Sequence, residues 1–259
     1  MAKLVTLKEE QLQRFRRLIV LGDVHGDYET LESALRIADP AKDGIILLGD
    51  YADRGPFGIE VVDAVCSLVK KHLGNVFALK GNHEDYKDSG APEFWPCDLI
   101  DEAERKRGDW HSYFENTFNP FVKRLKLAVI VPGETLFVHG GISSKIRSLD
   151  DLKHPTKTVE KDILWSDPFE GRGERENERG CGVEFGADVT ESVCKLLGVE
   201  RIVRSHQPTK ALIGPFYSHD SRVITVSSTS VYNGRPFILT INPSDSSRPR
   251  PLSVSFLDK

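Results

Sequence analysis

Short apolar runs that end abruptly at Gly, Asp, Asn or His recur along the chain, at 18–21, 45–48, 76–79, 136–138 and 202–203. Runs of this kind suit strands buried on both faces, as in a sheet covered by helices. Two stretches of helical spacing separate the first three. Leu31, Leu35 and Ala38 share one side of 28–38, and Ile59, Val62, Val65 and Val69 share one side of 58–72. The resulting β-α-β-α-β order predicts parallel strands with right-handed crossovers, an α/β chain.

The rest of the pattern is more varied. Residues 6–17 read as a short polar helix with Leu7, Leu12 and Phe15 on its apolar side, and 98–125 is helical, charged and aromatic. Segments 127–131 and 135–138 flank Pro132-Gly133-Glu134 and predict a hairpin. The Gly-rich polar run 167–182 reads as a loop, and 187–197 as a helix with Gly198 as its C-cap. Short β-like segments follow at 211–216, 222–226, 237–241 and 252–256, which predict a second, mostly antiparallel sheet. No repeat, linker or low-complexity segment interrupts the 259 residues, so one domain over 1–259 is expected. Its parts would be an N-terminal helix (1–17), a core (18–234) and terminal strands (235–259).

Composition narrows the function. The formal net charge is −4, so no overall positive field draws in nucleic acid or anionic lipid. An anionic substrate needs a local positive charge, which bound metal can supply. Cys66, Cys97, Cys181 and Cys194 form no CxxC pair and read as small buried hydrophobes of a reducing cytosol. The first residues, MAKLVTLKEEQLQRFRR, carry acids and no apolar core of a signal peptide. No run approaches the ~18 apolar residues of a membrane span. A cytoplasmic monomer, with no nucleic-acid or membrane partner, is the expectation.

The polar residues at the ends of the runs carry the candidate chemistry. Gly22-Asp23-Val24-His25-Gly26 follows the first run, Gly49-Asp50-Tyr51-Ala52-Asp53-Arg54-Gly55 the second, and Gly81-Asn82-His83-Glu84 the third. His139-Gly140-Gly141 and Ser205-His206-Gln207 follow later ones. Ligands of α/β sheets gather at the carboxyl ends of strands. Asp23 and His25 can reach one metal from a single loop, Asp50 can bridge through its two oxygens, and Asn82, His139 and His206 can complete a second metal. Oxygen and nitrogen donors without thiolate suit Mn, Fe, Zn or Co rather than Ca or a copper–thiolate centre. Two such ions about 3.5–4 Å apart lower the pKa of a shared water and clamp an in-line displacement at phosphorus. Singly, each motif reads as a polar turn, a helix cap or a hairpin residue. Together they would require the same accident at five strand ends.

At GDVHG (22–26), GDYADRG (49–55), GNHE (81–84), HGG (139–141), LWSDP (164–168), NERG (177–180) and RSHQ (204–207) the sequence resembles the phosphoprotein phosphatase family of metal-dependent serine/threonine phosphatases. The resemblance covers roughly residues 18–234, in family order. It implies a calcineurin-like metallophosphoesterase fold, a central β-sandwich flanked by helices. It implies the six ligands above around two divalent ions, Mn²⁺ first, and phosphoprotein substrates. It adds Arg54 and Arg179 as phosphate clamps, and His83 as general acid paired with Asp53. A hydroxide bridging the metals would attack phosphoserine or phosphothreonine directly. Compact ends without a regulatory tail resemble prokaryotic members.

The sequence departs from the family in three places. Ala52 replaces a usual Val. Ser228-Thr229-Ser230-Val231-Tyr232-Asn233-Gly234 lacks the usual Pro and Cys but keeps Tyr232 to face the phosphate. Residues 85–126 match poorly and look longer. Two other functions carry weight beside the first. GDYADRGP resembles diadenosine tetraphosphate hydrolases of the same superfamily, against which HGG argues. A non-catalytic phosphoprotein-binding scaffold would leave the complete ligand set unexplained.

Overall fold

The computed structural model describes residues 2–257. Two sheets form its centre. The five-stranded one runs, in spatial order, Leu252–Phe256, Phe237–Ile241, Leu18–Leu21, Gly44–Leu47 and Val76–Ala78. The last three are parallel, as the β-α-β-α-β pattern predicts, with the helices Tyr28–Ile37 and Gly58–Lys71 as crossovers. The six-stranded one runs Leu4–Thr6, Ala128–Val131, Thr135–Val138, Arg201–Arg204, Val223–Thr225 and Phe216–Ser218.

The continuous apolar runs have a simple cause, because successive side chains on a strand point to opposite faces. Leu18, Val20 and Ile46 meet Val129, Phe137, Val203 and Ile224 between the sheets. Ile19, Leu21, Ile45 and Leu47 pack outward on Leu31, Ala34, Ile59 and Val62 of the two crossover helices. Ile130, Leu136 and Ile202 of the other sheet cover Ile163, Val189 and Val193 of the helices Lys157–Trp165 and Ala187–Leu197. The result is a β-sandwich with helices on both outer faces. Each fully buried Val, Leu or Ile contributes about 1.5–3 kcal/mol to it.

Four expectations need correction. The N-terminal helix is only Glu9–Leu12, preceded by the strand Leu4–Thr6, which pairs in parallel with Ala128–Val131. Leu7, Leu12 and Phe15 still go inward, into the layer between the sheets. The second sheet is mixed: Thr135–Val138, Arg201–Arg204 and Val223–Thr225 are parallel neighbours, because helices intervene or the chain crosses over. The strands Phe237–Ile241 and Leu252–Phe256 extend the first sheet instead, the former antiparallel to Leu18–Leu21. The run 167–182 is not wholly loop, since Asp167–Pro168 and Glu174–Glu176 pair with Val183–Phe185.

Other expectations hold, except that the strand expected at 211–216 forms at Phe216–Ser218 instead. The hairpin closes at Val131↔Thr135, and Gly198 caps its helix with φ of 66°. Residues 98–125 are helical, with a π-helical turn at Phe114–Phe118. Their aromatic rings, Trp110, Phe114 and Phe118, close around Tyr86. All four cysteines are free, but the expected burial holds only for Cys66 and Cys194, since Cys97 and Cys181 are partly exposed.

Candidate active site

The loops that leave the strand ends converge on one buried cluster. The backbone there is held in an unusual shape. His25, Asp50, Asp53, Arg54 and His206 all have φ between 49° and 71°, a region that non-glycine residues enter at a cost of order 1–3 kcal/mol. Gly81 shows how close the loops come, because a Cβ there would overlap Asp50 Oδ1. Glu84 ties the turn together: Oε2 accepts the N–H groups of Asp50 and Gly81, each at 2.9 Å, and Oε1 accepts that of Tyr51 at 2.9 Å.

All six expected ligands are brought together and none is more than 5% exposed. His139 Nδ1 lies 3.0 Å from the Leu48 carbonyl, and His25 Nδ1 lies 3.1 Å from that of Ala52. A carbonyl only accepts, so both rings carry their proton on Nδ1 and turn a bare Nε2 inward. His139 Nε2 then faces Asn82 Oδ1 at 3.0 Å, His206 Nδ1 at 3.2 Å and Asp50 Oδ1 at 3.4 Å. His25 Nε2 faces the other Asp50 oxygen, Oδ2, at 3.5 Å. Asp23 Oδ1 accepts the His206 N–H at 3.1 Å, while its buried Oδ2 and His206 Nε2 have no partner.

Lone pairs thus point at lone pairs around Asp50, and a cation reverses that repulsion. The donors fall into two groups that share Asp50, one with His25 and His83, the other with His139 and His206. Burial sets the charge states of the metal-free cluster. It pushes His25 down to about 4 and His139 to about 3, so both are neutral and ready to ligate. Burial first, and Asp23 second, hold the Asp50 carboxyl well above its ordinary value. These chemical features fit divalent metal.

His83 sits at the edge of this cluster, its ring 4.9 Å from that of His25. Its Nδ1 is 2.7 Å from Asp53 Oδ2. Asp53 Oδ1 is fixed by the N–H groups of Asp98 and Leu99 at 2.6 and 2.8 Å. The Arg54 guanidinium lies 3.5 Å from His83 Nε2 and donates to the Pro96 carbonyl at 3.0 Å. Burial, then Arg54, pushes His83 down to about 3. Tyr232 stands across the site with its ring 5.6 Å from His25. Arg179 reaches close enough to disfavour protonation of His83 and His206.

Sequence reasoning left four neighbours without a role. Asp167 accepts from Arg179 Nε and from Arg204 Nη2, both at 2.8 Å, and Arg204 is fully buried. Glu84 organises the turn described above. Phe94 packs its ring 4.4 Å from that of His83. Asp167, Arg204 and Glu84 stand inside the quoted motifs, so their signal was present. Phe94 lies in the poorly matching 85–126 region and carried none.

Comparison with known proteins agrees with this geometry. A serine/threonine-protein phosphatase of Caenorhabditis elegans is 31% identical over 238 residues, covering 89% of this chain and 51% of that protein, so the chain spans about half the length of that curated relative. A protein serine/threonine phosphatase from Saccharomyces cerevisiae with similarity to human phosphatase PP5 superposes with a TM-score of 0.82 at 24% identity, over all of this chain and 84% of its own. A putative diadenosine tetraphosphatase superposes at 0.58 with 17% identity, over 100% and 99% of the two chains. The model of the calcineurin-like phosphoesterase family matches residues 16–210. The chain belongs to the calcineurin-like phosphoesterase family.

Proposed function

We propose that the protein hydrolyses phosphoserine and phosphothreonine monoesters in proteins, with two divalent cations in the cluster around Asp50. The observation that carries this reading is the Asp50 carboxylate, whose two oxygens face the bare Nε2 atoms of two different imidazoles, His25 and His139. Asp23 and His25 would hold one ion, Asn82, His139 and His206 the other, with Asp50 shared. When bound, the ions supply positive charge for the phosphoryl oxygens and lower the pKa of an attacking water. Manganese is the expected cation, and Fe, Zn or Co fits the same donors.

The remaining work falls to side chains of the chain itself. Arg54 and Arg179 would grip the phosphate with planar guanidinium groups, and Tyr232 would bound it on the opposite side. His83 Nε2 would donate a proton to the leaving alkoxide, with Asp53 holding Nδ1 and the ring plane. The metal-free ring is neutral; a phosphate dianion beside Nε2 favours its protonated form. Protein substrates are favoured by the likeness to a curated serine/threonine-protein phosphatase. Four free cysteines suit a reducing, cytoplasmic setting.

The test is phosphate release after metal removal and Mn²⁺ add-back, with a phosphothreonine peptide, a phosphotyrosine peptide and diadenosine tetraphosphate side by side. Mn-dependent turnover led by the phosphothreonine peptide supports the proposal. Preference for the dinucleotide would move the enzyme to the nucleotide branch. Two bound metals with no turnover on any substrate would favour a binding scaffold.

A further inference from the structure

A groove of about 520 Å³ lies along the outer edge of the five-stranded sheet, where Val76–Ala78 is the last strand. None of its lining residues belongs to the catalytic cluster. Val69 and Leu73, at and beyond the end of the helix Gly58–Lys71, form one wall, and Phe121 and Leu125 form the other. Leu73 is 80% exposed, an aliphatic side chain standing almost wholly in water.

The strand at the bottom of the groove has main-chain groups to offer. In its parallel ladder with Gly44–Leu47, Ile45 N–H bonds the Asn75 carbonyl and Leu79 N–H bonds that of Leu47, each at 2.8 Å. That register turns the peptide groups of Phe77 into the sheet and those of Val76 and Ala78 away from it. Val76 N–H goes to the His72 carbonyl, and the Ala78 carbonyl receives Lys126 N–H, both at 3.1 Å. Among the described residues, the Val76 carbonyl and the Ala78 N–H have no hydrogen-bond partner. Lys126 already holds this edge in parallel at Leu79, so the acceptor and donor can meet one residue of an extended segment in the gap between His72 and Lys126.

Charge selects the partner. Lys70, Arg124 and Lys126 line the groove and no carboxylate does. Among the described residues none of the three cations forms an ion pair, and Asp63, two turns back on the helix, is taken by Arg107. We propose that this groove docks an extended apolar segment of a partner protein, flanked by acidic residues, with one of its residues paired to Val76 and Ala78 in the gap between His72 and Lys126. The site is separate from the phosphoesterase cluster and does not depend on its substrate.

The test measures fluorescence anisotropy of a labelled peptide, Glu-Glu-Val-Thr-Val-Phe-Glu-Glu, with the whole chain, against the same peptide with Lys for Glu. The acidic peptide should bind and the basic one should not. Lys70→Glu with Arg124→Glu, two exposed positions, should weaken binding at least about tenfold, and so should Leu73→Asp. An unchanged thermal midpoint in these variants shows that the fold is intact. Equal binding of both peptides, no binding, or binding that survives charge reversal overturns the proposal. So does sedimentation showing a dimer that the reversal dissolves, or binding to phosphatidylserine vesicles in place of the acidic peptide.

Discussion

Arg179 donates through Nε to Asp167 at 2.8 Å, and the same carboxylate neutralises the fully buried Arg204. The half-exposed guanidinium is thereby fixed to the floor of the site instead of waving in solvent. Arg179→Ala should therefore weaken inhibition by product phosphate about tenfold or more, with little change in unfolding free energy. Asp167→Asn should also weaken phosphate inhibition. It should in addition lower stability by about 3 kcal/mol or more, because it strands the Arg204 charge inside the protein. Phosphate inhibition constants and urea unfolding of the two variants separate the effects. A stability loss in Arg179→Ala equal to that in Asp167→Asn would contradict this division.

Asp50 is expected to have opposite effects in the two forms of the protein. In the metal-free cluster its charge is opposed by burial, by Asp23 and by Glu84. Asp50→Asn removes that charge, yet its side-chain oxygen can still accept the His83 N–H that Oδ1 accepts now at 3.0 Å. The metal-free variant should unfold at a higher temperature than the metal-free parent. It should also lose the stabilisation by added Mn²⁺, the second equivalent of metal and the phosphatase activity. Calorimetry with and without Mn²⁺, beside metal analysis, reads all three. Retention of two metals and full turnover would remove Asp50 from the bridging position.

The strand ends were legible because of how strands bury their side chains. A strand covered on both faces leaves an unbroken apolar run, such as 18–21 or 45–48, and its ligands appear where that run stops. Pairing between distant segments was not legible. Leu4–Thr6 is a three-residue edge strand whose partner, Ala128–Val131, lies more than a hundred residues away, and three residues show no period. Glu174–Glu176 is a strand of three charged residues and takes its conformation from pairing with Val183–Phe185. The 237–241 and 252–256 runs read as strands, but nothing in their own residues said which sheet they would join. Asp167 and Arg204 were quoted in motifs, yet their contact is a tertiary fact.

His83 can be separated from the metal ligands by its leaving-group dependence. It shares a potential ligand group with His25 and Asp50, but its Nδ1 is engaged by Asp53 and its Nε2 is next to the Arg54 guanidinium. His83→Asn should lower turnover of a phosphoserine peptide by roughly 10²–10⁴ while both metals stay bound. The loss should be much smaller for p-nitrophenyl phosphate, whose leaving group needs little protonation. Equal losses on the two substrates would remove the proton-donor role, and loss of metal would make the residue a ligand.

Away from the site, Asp43 gives a pH-dependent contribution whose sign is fixed. Its buried carboxylate receives Arg16 Nε and Nη2 at 2.9 and 2.7 Å, Arg17 Nη2 at 3.2 Å and the Asp39 N–H at 2.9 Å. Burial alone would raise its pKa, but the Arg16 hydrogen bonds, with those of Asp39 and Arg17, outweigh it and hold the carboxyl below its ordinary value. A carboxyl depressed in the folded state stabilises fully above the unfolded pKa, near 3.9, and loses that contribution as pH falls through the folded value. Asp43→Asn should cost about 2 kcal/mol at pH 7, a modest figure because the Arg16 side chain is 51% exposed. The gap between parent and variant should be constant from pH 7 to pH 5 and should shrink as the pH falls below 4. Urea midpoints of both proteins at pH 7, 5 and 3 measure it. A gap of the same size at pH 3 would assign the loss to packing and not to the charge on Asp43.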